Sequence, residues 1–356
     1  MFTIANGQSS IANDQCSNAN AVTEDQSMRN MRQKIMSLSL VFLTSAFAIQ
    51  QHAKAPYGST RPLPEPILFG EGTISTGDMD LNAAFTPDGR TLYFTKRTPK
   101  FQFWVIVVSH FQRGRWSEPE VAEFSGQYSD FDPFISPDGS KLFFCSTRPA
   151  AGQPKTDFDI WVVEKKGTDW SAPMPLAEPV NTKAQEYYPS VASNGTLYFS
   201  SSREGGKGRG DIYRARLVDG KYAEPENLGD AINSQYSEGD PYIAPDESYL
   251  VFVSYGRPEG YGDGDLYISF RRDGAWTKAV NLGPKINSSA LDFCPIVSPD
   301  GRYFFFTSER GFADQPLQAR LTYAQFLKQI HGPHNGLGDI YQVDIDVLNL
   351  NREAVR

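Results

Sequence analysis

The sequence predicts an all-β fold, a five-bladed β-propeller of four-stranded antiparallel blades. Three observations carry this. One strand–turn–strand unit recurs five times at periods of 50 to 56 residues. Two further β-rich runs follow each unit, giving four strands per repeat. The composition, 13% aromatic with 30 Gly and 24 Pro in 356 residues, suits many strands and turns.

The unit is plainest in Phe134 to Arg148, Phe-Ile-Ser-Pro-Asp-Gly-Ser-Lys-Leu-Phe-Phe-Cys-Ser-Thr-Arg. Pro137 presets φ, Gly139 tolerates positive φ, and the apolar run Leu142-Phe143-Phe144 resumes as strand b. The other copies are Ala84 to Arg97, Ser190 to Arg203, Tyr242 to Arg257 and Ile296 to Arg310. Strand c follows at Asp159, Asp211, Asp265 and Asp339. The approach to strand d is marked by Trp116, Trp170, Tyr222 and Trp276. Leu63 to Phe69 reads as a strand d with no a, b or c before it, whereas the fifth repeat lacks a strand d. The N-terminal strand is therefore predicted to complete the last blade, pairing two edges that would otherwise be open.

Outside the repeats the chain divides by composition. Residues 1–27 are a polar extension, and translation from Met28 or Met31 would omit them. Residues 28–48 read as a signal peptide: Arg29, Arg32 and Lys34 precede the apolar Met36 to Ala48. That run is too short to span a bilayer, which takes roughly 20 apolar residues. Cleavage is expected after Ala48 or after Ala55, leaving a linker at 49–62, the propeller at 63–346 and a tail at 347–356. A periplasmic or secreted monomer with no membrane span after cleavage is expected. Three cysteines make no disulfide framework. A net charge of -8 with no Lys/Arg cluster argues against nucleic acid as a partner.

The Ser-Pro-Asp-Gly turn, the Leu-Tyr-Phe strand, the Ser-x-Arg ending and the Asp-Ile-Tyr strand resemble the TolB-type, WD40-like β-propeller repeat, over residues 64 to 345. The resemblance implies an exported protein. Propellers of this type occur as periplasmic protein-binding modules, as envelope-associated domains, and within peptidases and polysaccharide-active proteins. It leaves an envelope protein or a glycan as the partner and does not choose between them.

Three charged sets recur. An acid stands seven residues before each turn: Asp80, Asp130, Glu186, Glu238 and Asp292. An arginine ends each strand b: Arg97, Arg148, Arg203, Arg257 and Arg310. An aspartate opens strand c in four repeats, with Gln102 taken as the counterpart in the first. The d–a and b–c connections share one face of an a-b-c-d meander, so these sets are expected there, around the axis, as structural ion pairs. The arginines are expected to neutralise the acids, although an axial cation would serve the same end, and no cofactor is otherwise implied.

A ligand site should break the repeat. Tyr187 and Tyr188 replace Phe-Asp of the second repeat, offering rings either to stack on a sugar or peptide or to pack within the blade. Asp132 and Asp240 stand where other copies carry Asn82, Tyr188 and Cys294. The insert 311–337 has a helical pattern in Leu317, Leu321, Phe326, Leu327 and Ile330, expected to cap the axial mouth or a blade edge, and ends near His331 and His334. Two histidines lack a third metal ligand. The chain carries no Gly-x-Ser-x-Gly elbow, His-Glu-x-x-His or phosphate loop. The first expectation is a binding or scaffolding module using the d–a and b–c face. The alternative is a glycoside hydrolase or lyase with Asp132 and Asp240 as acid and base, at a spacing suited to inversion.

Overall fold

The computed structural model describes residues 56–149 and 157–350. The extension 1–27, the signal-like stretch 28–48, both cleavage points, the linker up to residue 55 and residues 351–356 lie outside the described residues.

Five antiparallel sheets, each hydrogen-bonded in the order a-b-c-d, form a five-bladed propeller. Strands a are Met79–Phe85, Asp130–Ile135, Glu186–Val191, Ser237–Ile243 and Asp292–Val297. Strands b are Thr91–Arg97, Lys141–Ser146, Leu197–Ser201, Tyr249–Tyr255 and Tyr303–Ser308. Strands c are Trp104–Gln112, Asp159–Lys166, Asp211–Ala215, Asp265–Arg272 and Asp339–Asp344. Strands d are only two residues long: Glu120–Val121, Met174–Pro175, Glu226–Asn227, Val280–Asn281 and, for blade 5, Ile67–Leu68. Outer strands this short offer little edge for unwanted pairing.

Closure is as the sequence predicts. Ile67 pairs Gln342 and Leu68 pairs Tyr341. Leu63 and Asp344 are also joined twice, Leu63 N–H donating to Asp344 Oδ2 at 2.7 Å and Asp344 N–H to Leu63 O at 2.9 Å. Tyr57 packs its ring edge-on against Phe85, Tyr303 and Phe305, centroids 5.0 to 6.1 Å apart.

Strand b is continuously apolar because both of its faces are covered by neighbouring blades. Phe94, Phe144, Phe199, Phe252 and Phe306 are all buried. Aromatic residues before strand d fill the seams: Trp170 of blade 2 donates to Tyr93 Oη of blade 1 at 2.8 Å, and Trp276 of blade 4 lies edge-on to Tyr198 of blade 3. In the a–b turns, Ser136 and Ser298 each donate to the turn aspartate at 2.6 Å, and Gly139 and Gly301 take φ of 71° and 69°.

The insert is less helical than its pattern suggests. The helix covers Tyr323–Ile330 only, opened by a capping box between Thr322 and Gln325, so Leu317 and Leu321 precede it. None of its residues is buried. Asn335 donates to the carbonyls of Gly77 and Ile330, which ties the insert to the loop between the closing strand and strand a of blade 1. Cys145 and Cys294 are buried free thiols. Among the described residues no helix is long and apolar enough to cross a membrane.

Candidate functional site

A repeated polar latch positions the strands around the axis. Asn181, Asn233 and Asn287 each accept a hydrogen bond from the amide of the second strand-c residue of the preceding blade, Ile160, Ile212 or Leu266, at 2.8 to 2.9 Å. The next residue, Thr182, Ser234 or Ser288, caps the acid that opens the following strand a, through both its amide and its hydroxyl. Ser75 and Thr76 do the same for blade 1. The sequence signal is Ile/Val-Asn/Ser-Ser/Thr followed four residues on by an acid, and sequence reasoning missed it.

The five acids are each bound into their own blade. Asp130, Glu186, Glu238 and Asp292 pair with Arg148, Arg203, Arg257 and Arg310 at 2.8, 3.4, 3.0 and 2.7 Å. Each arginine also donates through Nε to the strand-b serine, Ser146, Ser201, Ser254 or Ser308. Blade 1 departs from the expectation. Lys96 stands opposite Asp80, where the serines stand elsewhere, and pairs with it at 2.5 Å. Arg97 is one position earlier in register than Arg148, Arg203 and Arg310, and two earlier than Arg257, and pairs instead with Glu309 of blade 5 at 3.3 Å. The strand-c counterpart of Asp159, Asp211, Asp265 and Asp339 is Val105, not Gln102.

The groups that meet on the axis come from a bulge in every strand a. Pairing with strand b shifts at the same place in all five blades. There stand Asn82, Asp132, Tyr188, Asp240 and Cys294, with φ of 50° to 52°. For Tyr and Cys this left-handed conformation is costly, so the surrounding structure must impose it. Cross-blade bonds do so: Asp132 N–H donates to Thr95 Oγ1 of blade 1 at 3.2 Å, and Tyr188 N–H to Cys145 Sγ of blade 2 at 3.2 Å. Contacts then join blades that are not neighbours, which only the axis permits. The Tyr188 hydroxyl of blade 3 lies 3.3 Å from Asn82 Oδ1 of blade 1 and 3.1 Å from Pro295 O of blade 5. Asp132 and Asp240 face the same space. Burial and the Asp240 charge push the Asp132 carboxyl well above its ordinary range, and burial pushes Asp240 up to about 6. Their exposures are 9% and 7%.

Two pairs flank this ring: Arg97 with Glu309 across the seam of blades 1 and 5, and Tyr187 beside Tyr255 across the seam of blades 3 and 4. Both tyrosine hydroxyls are held protonated by burial and by the two axial carboxylates. Burial lowers the Arg97 pKa, against the pull of Glu309 and Cys294. The Arg97 guanidinium lies 3.6 Å from the Phe101 ring centroid and 4.9 Å from that of Trp104. Trp104, Phe131 and Phe158 continue the aromatic row across blades 1 and 2 at 4.8 and 4.9 Å. Phe101, at φ 57°, is 63% exposed.

Of the residues singled out by sequence, Tyr187, Tyr188, Asp132 and Asp240 are brought together. Tyr188 is buried, as the packing alternative has it, with its hydroxyl between Asn82 and Pro295 on the axis. His331 and His334 are not part of this cluster. His331 ends the helix, and His334 Nδ1 lies 2.7 Å from Tyr341 Oη. Among the described residues no group of three His, Cys, Asp or Glu side chains is placed to hold a metal ion.

No family model matches the sequence, and no curated protein matches it. Solved structures do match. A puromycin-hydrolyzing peptidase of Mycobacterium tuberculosis is 14% identical over 72% of this chain, TM-score 0.37, and the chain spans 41% of its length. An endo-arabinase from Bacteroides thetaiotaomicron is 15% identical over 66% of this chain and 91% of its own, TM-score 0.44. A glycoside hydrolase is 10% identical over 80% of this chain and 91% of its own, TM-score 0.49.

Proposed function

We propose that this chain is an exported propeller of the TolB type that serves as a binding module, and that a glycan enters its axial mouth on the face of the d–a and b–c loops. The observation that carries this reading is the break in fivefold repetition beside the axial ring, where one cation and one carboxylate lie under the exposed Phe101 ring and two phenols pair across another seam. Sugars are held by this mixture of stacking faces and hydrogen-bonding groups. A folded protein partner would need a broad apolar core. On the b–c loops of this face the exposed large hydrophobics among the described residues are Phe101 and Phe103 in blade 1, Tyr261 in blade 4 and Leu317, Tyr323 and Phe326 in the blade-5 insert, divided among three separate loops. The signal-like stretch 28–48 supports export to the periplasm or medium. The test is a glycan array with the secreted protein, scored against a Trp104→Ala variant. Binding that the variant loses supports the reading, and an array with no hits overturns it.

One observation favours a second reading, a glycoside hydrolase or lyase. Asp132 and Asp240 form an axial pair whose pKa values are raised, as a shared proton requires. Their burial weighs against it. Cleavage of a polysaccharide that Asp132→Asn and Asp240→Asn both abolish, in folded protein, would establish it.

A further inference from the structure

We infer that the axial mouth is built for a carboxylate-bearing sugar, a hexuronate residue, whose acid group takes the Arg97 guanidinium from Glu309. This rests on the glycan-binding reading above and names the class of ligand.

Arg97 is the symmetry-breaking residue of its strand-b position. Thr147, Ser202, Tyr255 and Glu309 occupy the matching place in the other blades. Its side chain is only 6% exposed, yet its fork is poorly used. Nη2 donates to Glu309 Oε1 at 3.3 Å and lies 4.0 Å from the Met79 sulfur. Nε is buried and finds no acceptor among the described residues. An arginine fork matches a planar carboxylate through two parallel bonds, and here one bond of that pair is missing.

Glu309 is a replaceable partner. It is 27% exposed, so it can swing to solvent. Burial and the nearby Asp263 carboxylate, on the b–c loop of blade 4, both disfavour its charged form. Phe101 lies over the guanidinium in a strained left-handed conformation, on a short loop between Thr98 and Phe103. Its movement would open Nε to the incoming acid. The pyranose ring would then rest against Phe101 and Trp104.

The probes are tetrasaccharides of hexuronate, each compared with its methyl ester, titrated by calorimetry against the secreted protein. The ester keeps the ring and removes only the charge. The free acid is expected to bind and the ester to bind about tenfold more weakly or worse. Arg97→Gln should weaken the acid by a similar factor, and Glu309→Gln should strengthen it by removing the competitor. Equal binding of acid and ester by the parent overturns the inference without needing any variant. So does weaker acid binding in Glu309→Gln, which marks the pair as purely structural. Loss of neutral-glycan binding in Trp104→Ala, with no hexuronate preference, overturns this inference and leaves the glycan reading standing. Binding of an acidic peptide in place of every glycan overturns both.

Discussion

Lys96 reaches Asp80 at 2.5 Å from the position that serine holds in the four other blades. It does alone what a serine and an arginine do together elsewhere. The exchange frees the neighbouring Arg97 to face the axis. Lys96→Ala should leave the Asp80 carboxylate buried and without a cation, at a cost of about 3–5 kcal/mol. Urea unfolding of parent and variant measures this; a loss below about 1 kcal/mol would mean that Thr76 satisfies the acid unaided.

In blade 2 the same task falls to Asp130 and Arg148. Asp130→Asn should destabilise by up to about 3–5 kcal/mol, because Arg148 is then buried without its counter-charge. Arg148→Met alone should cost a comparable amount, and the double variant less than the sum of the two. Additive losses would show that the two groups do not act as a pair. The losses should be the same with and without chelator; a parent melting temperature that falls in chelator and recovers with calcium would place a cation on the axis.

Several buried carboxyls tie stability to pH, Asp240 and Asp339 among them. Asp240 is raised to about 6, chiefly by burial, and Asp339 to about 7 by burial and the Asp80 and Glu71 charges. Asp339 Oδ1 is buried with no hydrogen-bond partner among the described residues. A carboxyl whose folded pKa is raised binds its proton more tightly when folded. Its contribution is complete below about pH 4 and is lost as pH rises through the folded value. Melting temperature should therefore fall from pH 4.5 toward pH 7.5, each group adding at most about 1.4 kcal/mol per pH unit. Asp339→Asn should flatten the upper part of that slope and Asp240→Asn the lower part. Variants with unchanged slopes would show that these carboxyls stay ionised throughout.

Closure gives a further test. Deleting residues 56–72 removes strand d of blade 5 and the Tyr57 ring, exposing strand c at Tyr341 and Gln342. The truncated protein should aggregate or unfold at markedly lower denaturant. Size-exclusion chromatography and a melt that match the parent would contradict the closed ring.

The fold was legible because its signals are local and repeated. Pro-Asp-Gly marks the turn in three repeats, Ser193-Asn194-Gly195 and Pro245-Asp246-Glu247 stand in the other two, runs such as Leu142-Phe143-Phe144 recur in all five, and Leu63 to Phe69 has only one vacancy to fill. The site was legible only in part. Strict alternation puts Asp132 on the same face as Asp130, but the bulge after Phe131 turns one inward to its blade and the other to the axis. Arg97 looked like the fifth arginine because one residue of register separates it from Arg148, and one residue exchanges the faces of a strand. The substitution at Lys96 is the clue, and it means something only beside the four serines.

The join between Leu63 and Asp344 spans 281 positions of sequence. On a ribosome, the first strand of this protein is made long before its partner exists. Until strand c of blade 5 arrives, Ile67 and Leu68 have no ladder to join, and the ring stays an open arc. The entropy of closing so long a loop grows only logarithmically with its length, so the price of the design is time rather than stability. Folding should therefore finish with one late, slow step, and a chain stalled before residue 339 would be left with both ends of its arc adhesive.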